Sequence, residues 1–329
     1  MSAIVPLSGP EVKCPAGFVP IAVRPLRASH ADAVDLFVQY ETGTQPRLYS
    51  RADHGPSDDQ YAELVSGGIE NLYVRSRDFA AISNQLLDSV DSILKEPLIH
   101  SAEKYAALQL AVAIAVEQTL RLVDCSKFHT LAEKVGQDLV NLFTKSEPLP
   151  RELFRLARHD FTTFSHVTNV ASYCVILARQ TGVTEIDELR RIATAAMLHD
   201  LGKRFIPDRI LTKTSPLTRD ELDVVESHPS RGYSELCGNS NLDFGQLMMV
   251  YQHHEHVDGS GYPVRIRQDE IHPWARMLSI VDVFDTMTAR RGADEPATPE
   301  SVFEYQRQQA GTRFDGEYVE CWISAMTKA

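Results

Sequence analysis

The chain has no apolar run approaching the roughly 18 residues that a membrane span requires, so no membrane-spanning protein is expected. Its opening, MSAIVPLSGPEVK, lacks the charged-then-apolar order of a signal peptide, and cytoplasmic residence is the default expectation. Cysteines are few. The five (Cys14, Cys125, Cys174, Cys237 and Cys321) are odd in number and form no CxxC spacing, which argues against a zinc ribbon or a disulfide framework and leaves buried reduced thiols. Basic charge is also short. With 33 Lys and Arg against 45 Asp and Glu, a net charge of −12 argues against a broad footprint for duplex nucleic acid. An anionic ligand stays compatible with that balance if metal ions supply the local positive field. Internal repeats and low-complexity segments are absent.

What remains is ordinary globular composition: 329 residues, 43% hydrophobic and 24% charged, enough for two or three domains. The first seventy-odd residues alternate short β-leaning runs (FVPIAV, VDLFVQY, PRLYS, NLYVR) with Pro, Gly, Ser and Asp, and DDQYAELVSGG reads as a short helix. A small α/β regulatory or input module over 1–78 is expected. From there the pattern turns helical: ISNQLLDSVDSILK, YAALQLAVAIAVEQTLRLV and FHTLAEKVGQDLVNLF. The middle run is apolar nearly all round and must be buried by neighbours or by a second subunit. The expectation for 79–147 is a helical linker and a homodimer formed through it. KSEPLP, with two prolines, marks the next boundary. From 148 to 329 the pattern is almost wholly helical, with a capping box at Thr218 and Glu221 and a helix start near Thr298. The fold class expected is mainly α, with an all-helical C-terminal bundle.

That bundle carries an unusual set of side chains. His166, His199, His228, His253, His254 and His256 fall at the ends or on the faces of expected helices. Asp200 follows His199, and Asp282 lies in the apolar run LSIVDVFD, where an unpaired carboxylate would be expensive to bury. Taken singly, each histidine is satisfied by one hydrogen bond. Taken together, imidazoles and carboxylates spread over several helices are how a helical bundle holds metal in its core. A single catalytic zinc takes three protein ligands and a water, whereas five histidines and two aspartates remain here even without His256. Seven ligands suit two divalent ions sharing one carboxylate, and Asp200 is the natural bridge. Lys203, four residues beyond His199, shares its face if the helix continues and can then reach a phosphate oxygen; a solvated lysine is the alternative.

LHDLGK (198–203), ILTKTSPLT (210–218), HPSRGY (228–233), HHEHVDGSGYP (253–263) and IVDVFDTMTAR (280–290), in that order, resemble the HD-GYP family, a branch of the HD-domain metal-dependent phosphohydrolases. The likeness covers about 148–329, making this span an HD-type bundle. It implies a cyclic di-GMP phosphodiesterase that opens the ring to pGpG and further to GMP. It also implies one ion on His166, His199, Asp200 and Asp282, and the other on Asp200, His228, His253 and His254. Iron or manganese is favoured, with zinc, nickel and cobalt also compatible with such ligands. Some members hold a third ion with a glutamate one turn before the first histidine; Thr162 stands there, so a binuclear site is expected.

A hydroxide shared by two cations about 3.5–4 Å apart is a nucleophile at neutral pH, which makes phosphodiester hydrolysis the simplest chemistry. Asp200 and Lys203 are the candidate catalytic residues, Lys203 offsetting transition-state charge. Asp258 and Asp285 are candidates to orient ligand histidines, with capping of a turn or helix as the alternative for each. Gly259, Gly261, Tyr262 and Pro263 form a shaped loop at the mouth, to which the resemblance assigns contacts with substrate or a signalling protein. One departure stands out: where relatives grip phosphates with arginine, proline, an aromatic and a basic residue, this chain reads RRGADEP. Arg290 or Arg291 can serve as the first arginine, but Ala293 and Asp294 replace the aromatic and the second base. Two rival readings follow: a catalytically weak cyclic-dinucleotide-binding module, or a phosphohydrolase acting on another nucleotide.

Overall fold

The computed structural model of the protein describes residues 17–29, 32–40, 44–69, 71–95, 104–105, 108–109, 125–145, 163–213, 215–239, 242–289 and 296–327. Thr162, Arg290, Arg291, Ala293, Asp294, the RELFRLAR run and most of the apolar central run lie outside them. The described residues fall into two compact units, one within Glu11–Ala115 and the other within Val116–Ala329.

The first unit is a four-stranded antiparallel sheet, β1 (Phe18–Ala22), β2 (Leu36–Val38), β3 (Arg47–Ser50) and β4 (Asn71–Arg75), in the order β1-β4-β2-β3. Alternation in β4 buries Leu72 and Val74, and helices α1 (Val23–Ser29), α2 (Asp58–Ser66) and α3 (Phe79–Lys95) add Leu26, Tyr61, Leu64 and Ile82 to the same core. All four β-leaning runs and the DDQ helix are present. The helix α1 was not expected, because its Pro25 reads as a breaker; in the first turn of a helix proline is tolerated.

The second unit is helical: α4 (Cys125–Lys145), α5 (Thr163–Gln180), α6 (Ile186–Leu198), the single turn α7 (Asp208–Leu211), α8 (Arg219–Glu226), α9 (His228–Asn239), α10 (Phe244–Gln252), α11 (Pro273–Thr288), α12 (Pro299–Gln308) and α13 (Gly316–Thr327). Helix α6 packs along α4 and α5, and α10 packs on α6, α9 and α11. Tyr173 of α5, Phe284 of α11 and Trp322 of α13 meet with ring centroids 5.1–5.7 Å apart, and Phe303 of α12 stacks on Phe284. Trp322, Tyr173 and Phe284 are fully buried, so this cluster fixes the helices that carry the site.

The contacts divide the chain differently from its composition. The segment 79–147, set apart as a linker by its helical pattern, is shared out: α3 packs on α1 in the first unit, and α4 packs on α6 in the second. Each helix follows the core that its apolar face completes.

Two helix breaks shape the site. TRDELDVVESHPSRGYSEL, read as one helical run, is two helices parted at Ser227, because Pro229 has no N–H to give the carbonyl of Val225 four residues back, which accepts from His228 Nδ1 instead. After Leu198 the chain leaves α6 and enters a 3-10 turn, Leu201–Phe205, that lies against α9. A Cβ on Gly202 would stand 1.9 Å from His228 O and 2.7 Å from Gly232 N, so only glycine permits this approach. Gly202→Ala is expected to lower stability by about 1–3 kcal/mol and to displace His228. Urea unfolding and metal content measured on the same preparation check both effects.

Candidate metal centre

Three of the histidines occupy the C-terminal turns of helices, where main-chain carbonyls lack helical partners. His199 caps α6, His253 caps α10, and His228 follows the last turn of α8. Each places Nδ1 on the carbonyl three residues back: His199 on Ala196 O (2.7 Å), His228 on Val225 O (2.8 Å) and His253 on Val250 O (2.8 Å). A carbonyl only accepts, so each Nδ1 carries the proton, and the tautomer that this hydrogen bond selects turns the lone pair of Nε2 inward.

Those lone pairs converge with nothing to meet them. His228 Nε2 and His253 Nε2 lie 3.2 Å apart, and burial pushes the pKa of both rings down, so neither is charged at neutral pH. His254, also held well below the usual imidazole range by burial and by neighbouring rings, completes this group. The second group is His166, His199 and Asp200; within each group the ligand atoms lie within 4.8 Å of one another. Among the described residues these are the two clusters that could hold a metal ion. His199 Nε2 and Asp200 Oδ1 are buried without a hydrogen-bond partner, a costly state that a cation relieves. The donor set, buried imidazole and carboxylate, is that of divalent transition-metal sites.

Asp200 stands between the groups. Its Oδ2 faces His199 Nε2 (3.4 Å) and His166 Nε2 (3.8 Å), while Oδ1 faces His228 Nε2 (3.3 Å). Burial raises its pKa, but the Lys203 ammonium holds it well below the ordinary carboxylate range. Lys203 reaches Oδ2 at 2.5 Å. It does so by a route other than the expected one: the helix does not continue, and the 3-10 turn brings i and i+3 into line, placing Lys203 over Asp200 rather than on the face of His199. Asp282 Oδ1 lies 3.3 Å from His166 Nε2 and belongs to the same side.

Of the two carboxylates considered for orienting ligands, the structure brings in one. Asp285 Oδ2 holds His166 Nδ1 at 2.8 Å. Asp258 is exposed and reaches no clustered histidine; it accepts from Ser260 N, the turn-capping alternative.

The loop at the mouth is built by a residue given no role from sequence. Glu255, 2% exposed, accepts main-chain N–H groups from Val264 and Arg265. A Cβ on Gly261 would meet His256 N at 2.3 Å and His254 O at 2.4 Å, so the loop can fold back only there. It lays Tyr262 over His254, ring centroids 4.8 Å apart, with Pro263 following. Asn169, which donates to Asp285 Oδ1 at 2.9 Å, was also missed. A polar residue inside VTNVASY carries no ligand signature; only the approach of α11 gives it a role.

The HD-domain family model matches residues 150–318, half of the chain. The chain belongs to the HD-domain family. Its motif set resembles that of the HD-GYP branch of this family. It is 37% identical over 199 residues to "Cyclic di-GMP phosphodiesterase response regulator RpfG" of Xanthomonas campestris pv. campestris, covering 58% of this chain and 52% of that protein. It is 39% identical over 163 residues to "3'3'-cGAMP-specific phosphodiesterase 2" of Vibrio cholerae, covering 48% of this chain and 30% of that one. The chain thus spans about half or less of the curated relatives it matches. Among solved structures, Bd1817, a HDG"Y"P protein from Bdellovibrio bacteriovorus, superposes with a TM-score of 0.67 at 14% identity, over 94% of this chain and 100% of that one, a likeness of fold. No helix among the described residues of this HD-domain protein is long and apolar enough to cross a membrane.

Burial disfavours a charged His166, but hydrogen bonds to Asp282 and Asp285 outweigh it and push the pKa up to about 9. In the metal-free protein at pH 7.5 this ring carries a proton that a cation must displace. Affinity on this side should therefore rise about tenfold per pH unit up to the pKa of His166 and flatten above it. Calorimetric titration of Mn²⁺ in two buffers of different ionisation enthalpy should show about one proton released at pH 7.5; release of none would show His166 to be neutral.

Proposed function

We propose that the centre holds two divalent cations, iron or manganese before zinc, nickel or cobalt, and hydrolyses a phosphodiester bond of a cyclic dinucleotide, with cyclic di-GMP as substrate. The observation that carries this reading is the position of Asp200, one oxygen toward each histidine group. His166, His199, Asp200 and Asp282 would hold one cation, and Asp200, His228, His253 and His254 the other. Bound there, the cations supply Lewis acidity and activate water for attack on phosphorus.

The chain's own side chains set the geometry around them. Lys203, 23% exposed along its side chain, is within reach of both Asp200 and solvent, which suits it to a phosphate oxygen seated at the centre. Tyr262, over His254 at the mouth, offers a ring face and a hydroxyl to a nucleotide, and Gly261 and Pro263 shape that wall. Arg290 or Arg291, just beyond α11, would supply a further phosphate contact. We also propose the homodimer through the central helices and a signalling partner at the loop, where Val264 is 48% exposed.

A second substrate is favoured by one observation: the Vibrio relative named for 3'3'-cGAMP matches at 39% identity, against 37% over a longer stretch for the one named for cyclic di-GMP. Metal-loaded protein incubated separately with each dinucleotide, with products followed by chromatography, decides between them. Binding without product from either would defeat the enzyme reading. Asp200→Ala is expected to abolish metal retention and hydrolysis together. Lys203→Met should keep metal while lowering kcat about 10²–10³-fold.

A further inference from the structure

His166 differs from the other histidines in how it is held. His199, His228 and His253 use carbonyls at helix C-terminal turns, but His166 is the fourth residue of α5, near the end where a helix has spare N–H groups rather than spare carbonyls. Its Nδ1 proton must go to an acceptor on another element. That acceptor is Asp285 of α11, one turn after Asp282, so one helix places a carboxylate on each ring nitrogen of His166. A carboxylate that accepts from Nδ1 alone can still rotate. Asp285 is fixed at its other oxygen by Asn169 Nδ2, from the turn of α5 that follows His166. All three residues are buried, with 3% of each exposed.

We infer that Asn169 is a positioning residue for one half of the centre, that of His166 and Asp282, and has no part in the other. It clamps Asp285 between two points of α5, which sets the direction of His166 Nε2. This rests on the two-cation reading. Its consequence is specific to one side: loss of the amide should weaken one cation about 10–100-fold and leave the cation on His228, His253 and His254 in place.

The test is the stoichiometry and affinity of Mn²⁺, measured by titration and elemental analysis on the full chain. The parent should bind two ions. Asn169→Leu, nearly the same shape without the amide, should retain one at parental affinity, and that retained ion shows the bundle to be folded. Asn169→Asp sets two carboxylates together and should lose the same ion. The double exchange of Asn169→Asp with Asp285→Asn restores a donor facing an acceptor at this contact, leaves an amide oxygen for His166 Nδ1, and should recover the second ion relative to Asn169→Asp alone. Two ions at parental affinity in Asn169→Leu, equal weakening of both, or no recovery in the double exchange would overturn the assignment. A parent that binds one ion or none would instead overturn the two-cation reading.

Discussion

Everything in the helical unit answers to one buried carboxylate. Asp200 is 8% exposed, and a charge so placed is tolerable only if positive groups and hydrogen-bond donors surround it. The fold supplies two from separate places, His166 from α5 and Lys203 from the 3-10 turn, and sets His199 at the end of α6 and His228 at the start of α9 beside the same carboxylate. Lys203 neutralises one oxygen. The other faces the lone pair of His228 Nε2, and that uncompensated meeting of acceptors is the strongest physical sign of a cation in the molecule. Gly202 belongs to the same arrangement, because the turn bearing Lys203 and the helix bearing His228 must come into backbone contact for both to reach Asp200.

The motif spacing follows from helix ends. A histidine on the last turn finds a carbonyl waiting for its Nδ1 proton, so tautomer and direction are settled by local structure and need little tertiary help. This is why HD and HH stand at the close of apolar helical runs, and why Pro229, which starts a new helix at His228, sits beside a ligand. Lysine follows the HD pair at i+3 because the chain tightens there.

The sequence was therefore most legible where a residue's role is written in its own segment. The alternation in NLYVR, the capping box at Thr218 and Glu221, and the ligand-bearing ends of α6 and α10 are all local, and each is present. What could not be read depended on an unseen neighbour. The helix break at Leu198 follows from the contact with α9. Asn169 and Glu255 look like ordinary polar residues until α11 and the 264–266 backbone arrive beside them. Asp258 and Asp285 carry equal promise as letters, and only packing separates a turn cap from a partner of His166. The partition of 79–147 between two units has the same origin, since an amphipathic face does not say which core it will complete.

The two halves of the centre consequently rest on different mechanical supports. The half formed by His228, His253 and His254 is set by helix ends and lies beneath the loop that Glu255 folds and Tyr262 closes. The half formed by His166 and Asp282 depends on α5 and α11 keeping their relative position, through Asp285 and through the aromatic packing of Tyr173, Phe284 and Trp322. A small slide between those helices would move both Asp282 and Asp285 against His166 while leaving the other three histidines aimed as before. Rigidity of the aromatic cluster thus bears more directly on the aim of His166 than on that of His228 and His253, whose rings are directed by the main-chain carbonyls of Val225 and Val250.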